Sequence, residues 1–416
     1  MKRVALHWQI LVALVLSIPL GIFFGSEGLI DLSGVFSFMG SIFLNALKMI
    51  VVPLIISAII TGVSNISSEK GFARMGLKTI LYYLFTSFIA ILTGLVLVNI
   101  FKPGIISGVP AREVLALSSL TAEQMSALEG KGTNEIFTIF LRMVPPNIFK
   151  AASEGQMLGL ITFSLIFGFF IRKLSENYKS VQLNFWNGVY DIMLGITNLV
   201  MRIAPLGVLG LVALTVSQTG FDSIMPLLKF ALIVIAALLF HVFVSTSLML
   251  YSLGKMKPLF YMKAMSKALL TAFSTSSSSA TLPETIEGVT QVGVPKRVSS
   301  FVLPLGATIN MDGTALYECV AAMFIAQAYG LDISFGMQLT IVLVALLTSI
   351  GVAGVPSASL VAIVIILKAI GLPDTALGLI LVVDRPLDML RTAVNVWSDS
   401  CGAAIISASE NSQSNN

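Results

Sequence analysis

The chain contains 416 residues, of which 56% are hydrophobic and only 11% are charged, and its formal net charge is +4. Because soluble domains carry about 25% charged residues, this composition excludes an ordinary soluble protein and indicates a protein of the lipid bilayer. The two cysteines, Cys319 and Cys401, lie in apolar segments with neither zinc-ligand spacing nor a disulfide framework, so we expect them to be packing residues.

Apolar segments long enough to cross a bilayer begin near the N-terminus. Residues 8–25 and 79–101 contain no charged side chain, and each meets the requirement of roughly 20 apolar residues for a membrane helix. Further apolar runs follow at 34–64, 153–171, 186–218 and 224–253, and a less regular set starts near residue 268. The first run is too long for the core of a signal peptide and lacks a clear cleavage site, so we interpret it as a retained first helix.

Lysine and arginine residues accumulate at every second junction between apolar runs. These junctions contain Lys2 and Arg3; Lys70, Arg74 and Lys78; Arg172, Lys173 and Lys179; Lys255, Lys257, Lys263 and Lys267; and Lys296 and Arg297. Because cytoplasmic loops are enriched in basic residues, we expect a cytoplasmic N-terminus. The same bias accounts for the net positive charge, which therefore gives no indication of nucleic-acid binding.

Two apolar segments in the second half are interrupted by small and hydroxyl residues. Residues 271–283 read TAFSTSSSSATLP, residues 349–360 read SIGVAGVPSASL, and a helix with polar groups follows each of them, at 310–318 and 383–400. Non-helical backbone is tolerated in a membrane only where it is buried or lines a cavity, and such paired segments are typical of a transporter's substrate site. Taken singly, the first also fits close helix packing and the second a proline-kinked helix.

The last polar helix carries a stripe of polar side chains. Its members are spaced four, three, four and four residues apart: Asp384, Asp388, Arg391, Asn395 and Asp399. On an ideal helix they fall within an arc of roughly 80°. Since an ionisable group near the bilayer centre costs about 2.5–3.5 kcal/mol, we interpret the stripe as functional, with a structural salt-bridge network as the alternative.

The segment NMDGTALYE predicts a cation site. Asn310, Thr314 and Glu318 share one helix face, whereas Asp312 lies about 200° further round an ideal helix. The adjacent Gly313 would let the helix unwind, so that carbonyl oxygens and both polar side chains converge on a hard cation. The alternative is a frayed helix with incidental polar residues.

Four stretches together resemble one known family. They are TSSSSATLP at 275–283, LPLGATINMDGTALYE at 303–318, SIGVAGVPSASL at 349–360 and LDMLRTAVNVWSDS at 387–400. This combination resembles the dicarboxylate/amino acid:cation symporters, the glutamate transporter family that includes the excitatory amino acid transporters. The resemblance is specific over 268–402 and looser but continuous upstream. A long extracellular insertion and an extended cytoplasmic tail are lacking, which suggests a prokaryotic member.

The resemblance implies an all-α polytopic membrane protein with eight transmembrane helices and two re-entrant hairpins related by inverted repeats. The implied scaffold comprises 1–71 (helices one and two) and 103–220 (external loop, helices four and five). The implied transport domain comprises 72–102 (helix three) and 221–416. The second of these segments contains helix six, hairpin one at about 268–292, helix seven at about 298–329, hairpin two at about 336–372 and helix eight at about 376–409. It also implies a homotrimer in the plasma (inner) membrane with cytoplasmic termini.

A substrate site is likewise implied by position. Its residues are Ser277, Ser278, Thr314, Val355, Asp388, Arg391, Thr392 and Asn395. Arg391 would hold the side-chain carboxylate of glutamate or aspartate in a bidentate pair, and Asp388 would take the ammonium group. Asn395 and Ser278 would bind the α-carboxylate with help from a helix N-terminus, and the Val355 backbone would close the site.

The resemblance further implies three sodium sites. The first would use Asp399, Asn395, Asn310 and main-chain carbonyls near Gly306. The second would use main-chain oxygens at Ser349, Ile350 and Val352 with Ile309 or Thr308. The third would use Asp312 and Asn310 with Tyr83, Thr86 and Ser87. Tyrosine and hydroxyl residues are common in membrane helices, so the residues alone do not single out the last three. Sodium is the expected coupling ion, and no other cofactor is expected.

Departures within the family bear on substrate and coupling. Members that carry neutral amino acids have a small residue at the position of Arg391, and C4-dicarboxylate carriers lack the aspartate at Asp388; both charges are present here. Glu318 resembles the eukaryotic-type members, in which this glutamate is implicated in carrying a proton. Burial in an apolar helix favours its neutral form in one state, so we hypothesise proton co-transport, with potassium returning in exchange.

A second arginine near the site is usual in the family. It occupies the position of Ser276 or of Met389, and this sequence has it at neither. Arg385 is the candidate substitute, although its azimuth on the helix differs from that of the stripe.

Other functions remain as alternatives. These are a proton-driven or sodium-driven C4-dicarboxylate carrier, a neutral amino acid carrier, and a channel with the same polar helices. An intramembrane enzyme fits poorly because the chain lacks HExxH, GxSxG and a phosphate loop. The only histidines are His7 and His241, and we expect the latter to be a buried or interface residue.

Overall fold

The structure is a computed structural model that describes residues 6–24, 31–64, 70–112, 141, 143–154, 157–219, 224–331, 333–351, 358–373 and 376–414. Over these residues the chain is almost entirely helical. The first half contains α1 (Leu6–Phe24), α2 (Ser33–Ser64), α3 (Lys70–Phe101), the two-residue strands β1 (Ile105–Ile106) and β2 (Val109–Pro110), α4 (Ile148–Ser153), α5 (Met157–Ile171) and α6 (Glu176–Thr219). The strands pair antiparallel.

The second half contains shorter helices and several interruptions. Its elements are α7 (Ile224–Phe240), a π-helix (His241–Thr246), α8 (Ser247–Ser252), α9 (Pro258–Thr275), α10 (Ser278–Gln291), α11 (Lys296–Ile309), α12 (Asp312–Ala328), α13 (Phe335–Gly351), α14 (Ala358–Ile370) and α15 (Leu377–Ser414).

Two groups of helices carry most of the packing. In the first, α6 lies along α1 and α2, and α2 also packs on α5. In the second, α12 packs against α3, α13 and α15, while α9, α10 and α11 also contact α15. Helix α12 therefore occupies the centre of the second group. All of its residues except Thr314 are buried, with Ala315, Leu316 and Val320 at 0% exposure.

Two helical stretches among the described residues are long and apolar enough to cross a membrane, Arg74–Phe101 and Met225–Ser252. A bent pair, Glu176–Thr197 with Arg202–Leu214, makes a third if it counts as one span. The other apolar helical stretches of the described residues are 10–17 residues long, so the number of eight spans stays a prediction.

The two hydroxyl- and glycine-rich segments fall between helices. Helix α9 ends at Thr275, Ser276 adopts a left-handed conformation with φ 51°, and the Ser277 side chain caps α10 by accepting a hydrogen bond from Ala280 N at 3.2 Å. Helix α9 begins at Pro258, since proline favours the first helical position, and the re-entrant hairpin at about 268–292 stays a prediction. The corresponding turn between α13 and α14 lies outside the described residues.

The predicted unwinding near Gly313 occurs two residues earlier. Helix α11 ends at Ile309, Asn310 takes extended backbone angles, Met311 is also non-helical, and α12 starts at Asp312. The predicted helix at 298–329 is thus two helices. By contrast, the last polar helix is continuous from Leu377 to Ser414, through Pro386.

Glycines allow α2 and α6 to approach closely. A Cβ placed on Gly207 would overlap the Cβ and Cγ of Phe43, and one on Gly40 would lie 2.6 Å from Leu211 Cδ2. Small residues of this kind drive helix association in membranes, where apolar burial gives no preference between lipid and protein.

We expect Gly207→Ala to destabilise the protein by about 1–3 kcal/mol, because the added methyl group overpacks this interface. Gly188→Ala is the matched control on the same helix, since a Cβ there meets nothing within 4 Å, and alanine is the better helix former. Thermal unfolding of both purified variants in detergent measures the effect. Equal unfolding temperatures for the two would contradict the close α2–α6 contact.

Candidate functional site

Four buried charged residues form one cluster on α15, which we call the charge cluster. Its members are Asp384, Arg385, Asp388 and Arg391. Arg391 Nη2 donates to Asp384 Oδ1 at 3.1 Å and to Asp388 Oδ1 at 3.0 Å. Arg385 Nη1 donates to Asp388 Oδ2 at 2.9 Å. Two positive and two negative charges therefore neutralise one another away from water.

Arg391 is the most buried member of the charge cluster, with 0% exposure. Its guanidinium carbon lies 3.8 Å from the ring centroid of Tyr317, so the aromatic face covers one side of the fork. Its Nε and Nη1 are buried and have no hydrogen-bond partner among the described residues. A donor of this rigid planar group is thus available to a carboxylate.

Arg385 reaches the site although its azimuth differs from that of the stripe. It is 5% exposed, and its bond to Asp388 occupies the oxygen that Arg391 leaves free. The sequence reasoning named Arg385 only as a possible substitute for a second arginine and did not predict this pairing. Arginine three residues before an aspartate on one helix is the signal that could have found it.

Asn395 lies one turn further along α15 and contacts the start of α12. Its Oδ1 accepts from Gly313 N at 2.8 Å, and its Nδ2 donates to Thr314 Oγ1 at 3.1 Å. Nδ2 also lies 3.2 Å from Met311 Sδ. The structure therefore joins the predicted substrate residues Asn395 and Thr314 across two helices.

The other predicted substrate residues are less closely joined. Ser278 is 4% exposed and starts α10, which packs on α15. Ser277 serves as the cap of that helix, and Thr392 Oγ1 donates to Asp388 O at 2.8 Å within α15. Val355 lies outside the described residues.

Asp312 is completely buried and surrounded by hydrogen-bond donors from three other elements. Ser87 Oγ donates to Asp312 Oδ1 at 2.6 Å, and Thr86 Oγ1 donates to the same oxygen at 3.3 Å. Ser398 Oγ donates to Oδ2, and His241 Nε2 lies 3.2 Å from the same oxygen. Neither His241 nor Ser398 was predicted at this site; the only sequence signals were a histidine inside an apolar run and a serine beside Asp399.

Asp399 and Asn310 form an adjoining site. Asn310 Nδ2 donates to Asp399 Oδ1 at 2.9 Å, and Ser87 Oγ lies 3.4 Å from Asn310 Oδ1. A Cβ on Gly306 would lie 2.5 Å from Asp399 Oδ1 and 2.6 Å from the Tyr83 hydroxyl, so only glycine leaves room here. Tyr83 itself donates to Val302 O at 2.8 Å.

Asn395 was predicted for this sodium site as well as for the substrate. Its side-chain hydrogen bonds go to Met311, Gly313 and Thr314 on the substrate side. Neither of its amide atoms is recorded bonding to Asp399 among the described residues.

The remaining predicted sodium site, which would use main-chain oxygens, lies partly outside the described residues and stays a prediction. Thr308 Oγ1 donates to Leu305 O at 2.8 Å, and Ser349 Oγ donates to Leu346 O at 2.8 Å, so both hydroxyl groups bond to their own helices. Ile350 belongs to α13, and Val352 lies outside the described residues.

Glu318 lies inside α12 with 0% exposure. Its Oε2 accepts from Thr348 Oγ1 of α13 at 2.9 Å. Its Oε1 is buried without a hydrogen-bond partner among the described residues, so that oxygen is free to carry a proton.

The donors around Asp312 and Asp399 suit a hard cation. The polar groups there include carboxylate, amide and hydroxyl oxygens, which such ions prefer, and the imidazole nitrogen of His241 also contacts Asp312. No lysine or arginine of the described ranges pairs with either carboxylate, and the same ranges contain no group of three or more His, Cys, Asp or Glu side chains that could hold a metal ion. A monovalent cation fits this donor set.

Comparison with known proteins gives a consistent result. A family model described as the sodium:dicarboxylate symporter family matches residues 6–409. The proton/sodium-glutamate symport protein of Bacillus caldotenax is 37% identical over 98% of this chain and 95% of the relative. The proton/glutamate-aspartate symporter of Escherichia coli (strain K12) is 35% identical over 97% of this chain and 92% of the relative. Human excitatory amino acid transporter 3 is 36% identical over 89% of this chain and 78% of the relative. All are transporters rather than enzymes.

We expect Arg385→Met to destabilise the protein by about 3–5 kcal/mol, because Asp388 loses one arginine and the charge cluster keeps one uncompensated negative charge. The double variant Arg385→Met/Asp384→Asn restores neutrality and should recover part of the loss. Thermal unfolding in detergent at neutral pH measures both.

Arg202→Met is the matched control, because Arg202 is exposed on α6. If Arg385→Met unfolded at the same temperature as this control, the charge cluster would not depend on Arg385.

Proposed function

Because the chain belongs to the sodium:dicarboxylate symporter family, we propose that it is a secondary active, sodium-coupled symporter of acidic amino acids. The relatives named above carry glutamate, or glutamate and aspartate, by their descriptions. The observation that carries the proposal is Arg391, a fully buried arginine whose Nε and Nη1 have no partner in the described part of the chain. Such a group at a neutral cluster selects a ligand with a carboxylate.

The substrate's side-chain carboxylate accepts from Nη1 of Arg391, which has no hydrogen-bond partner among the described residues. A charge-assisted hydrogen bond from a guanidinium is strong and directional, and the Tyr317 ring holds the guanidinium plane. The α-carboxylate binds near Asn395 and Thr314, which already hydrogen-bond each other, with the capped start of α10 as a further donor.

The substrate's ammonium group binds Asp388. Both oxygens of this residue accept from arginines, one from Arg391 and one from Arg385, but each carboxylate oxygen has a second lone pair. Arg385 also provides a second buried guanidinium. The positions where the family usually has this second arginine are occupied here by Ser276 and Met389.

Sodium ions bind at Asp312 with Asn310, Thr86 and Ser87, and at Asp399 with Asn310 and the main chain near Gly306. A further ion binds near Thr308 and Ser349. Buried carboxylates without a basic partner are costly, so a cation lowers the free energy of the bound state. Binding of substrate without sodium would leave the negative charges of Asp312 and Asp399 uncompensated. Substrate binding is therefore coupled to sodium binding.

Alternating access follows an elevator-type mechanism in this proposal. The scaffold at 1–71 and 103–220 forms a homotrimer in the plasma (inner) membrane with cytoplasmic termini. The transport domain at 72–102 and 221–416 carries substrate and ions across when the second re-entrant hairpin closes. The group of helices around α12 contains every described site residue, which supports their movement as one unit.

A C4-dicarboxylate is the second candidate substrate. The specific observation is the Arg385–Asp388 pair, which leaves neither oxygen of Asp388 without a cationic partner. A dicarboxylate without an amino group needs no such oxygen. Competition by succinate against labelled aspartate distinguishes the two.

We expect an inward sodium gradient to drive accumulation of labelled L-aspartate and L-glutamate into proteoliposomes at fixed pH. Arg391→Ala should reduce this uptake by at least about 100-fold, because the charge-assisted hydrogen bond to the substrate is lost. Arg202→Ala is the matched control. Accumulation driven only by a proton gradient would contradict sodium coupling, and accumulation of neither amino acid would favour a dicarboxylate or neutral substrate.

We expect Glu318→Gln to abolish the pH dependence of uptake, since an amide cannot exchange the proton that Glu318 carries. Sodium-driven uptake is measured at a series of external pH values, with and without internal potassium to test counter-transport. Glu176→Gln, an exposed position on α6, is the control. An unchanged pH profile in Glu318→Gln would exclude this carboxyl group as the proton site.

A further inference from the structure

His241 lies at the first residue of the π-helix that interrupts the long apolar segment after α7. The side chain has 0% exposure. A π-helix is rare and is frequent at functional sites, because the wider turn changes where side chains point. Here the imidazole Nε2 lies 3.2 Å from Oδ2 of Asp312, which is 71 residues away in sequence.

The two oxygens of Asp312 have different partners. Oδ1 accepts from the α3 hydroxyl groups Thr86 and Ser87, which are proposed sodium ligands. Oδ2 accepts from Ser398 and contacts His241. One oxygen therefore faces the cation site, and the other is held by residues that are not proposed ligands.

The contact assigns a hydrogen to Nε2 of His241. An ionised carboxylate only accepts hydrogen bonds, so Nε2 must be the donor. Nδ1 is buried and has no hydrogen-bond partner among the described residues. The imidazole thus serves as a directional donor to Asp312.

The π-helix is attached to α15 beside this contact. Trp397 Nε1 donates to Thr246 Oγ1 at 2.8 Å, and Trp397 precedes Ser398, the other donor to Oδ2. Thr246 Oγ1 in turn lies 3.0 Å from His241 O. One hydrogen-bonded chain therefore sets the positions of both groups that hold Asp312.

We infer that His241 is a positioning residue of the sodium site, which fixes the Asp312 carboxylate so that Oδ1 is presented to the ion together with Asn310. This inference rests on the proposed sodium-coupled function. Groups that orient a metal ligand from outside typically contribute 10–100-fold to affinity. A histidine that only filled space would be replaceable by an apolar residue of similar size.

The test compares His241→Leu, which removes the donor, with His241→Gln, which can place an amide donor near Nε2. The first readout is the sodium-induced rise in unfolding temperature of the purified full chain without substrate, against choline as the salt control. The second is the sodium half-saturation of uptake, alongside the KM for glutamate at saturating sodium. We expect His241→Leu to raise the sodium half-saturation about tenfold or more with little change in that KM, and His241→Gln to restore most of the affinity.

The outcomes separate the inference from the proposed function. If wild type shows no sodium effect in either readout, the proposed sodium coupling fails and the inference fails with it. If wild type responds and His241→Leu responds identically, only the inference is overturned. Equal loss of sodium and glutamate affinity in His241→Leu would also overturn it, in favour of a general structural role.

Trp397→Phe is the second variant if His241→Leu does not fold. It keeps the aromatic packing on Tyr261 but removes the indole donor to Thr246. We expect a change in sodium half-saturation of the same sign and smaller size, and unaltered sodium affinity in a folded Trp397→Phe protein would count against the inference.

Discussion

A carboxylate removed from water must be compensated, and the interior of this protein contains several. Asp384 and Asp388 are compensated by two arginines at 2.9–3.1 Å. Asp312 and Asp399 receive only neutral or imidazole donors within the described residues. The first pair is therefore complete without a ligand ion, whereas the second pair gains most from a cation. This difference separates the proposed substrate side of the site from the proposed ion side.

Interruptions of helices bring these groups together. The break at Asn310 and Met311 lets Asp312 begin α12 and meet α3, while Asn310 turns towards Asp399. The π-helix places His241 against the same carboxylate from a third direction. Continuous helices would satisfy their own backbone but would not aim so many polar groups at one point.

The proposed substrate and ion sites share one helix pair, α12 and α15, which gives the proposed coupling a physical route. Gly313 N bonds to Asn395 on the substrate side, while the preceding residue, Asp312, bonds to Ser398 on the ion side. Adjacent residues of α12 thus contact adjacent turns of α15. An ion that orders Asp312 also orders the start of α12, to which Asn395 and Thr314 are bonded.

The sequence alone determined the membrane character, the polar face of α15 and the presence of an interruption near Gly313, because helix periodicity and residue polarity are local properties. It did not determine which side chains meet across elements. The Ser87–Asp312 bond spans 225 residues and the Asn310–Asp399 bond spans 89, and neither distance is encoded in local spacing. His241 illustrates the limit: in the sequence it is a polar residue in an apolar run, and only the packing of α7 and its π-helix against α12 decided that it contacts Asp312. Tertiary packing decides such contacts because a buried charge needs hydrogen-bond donors. Those donors come from other helices, and only packing brings them within hydrogen-bond distance.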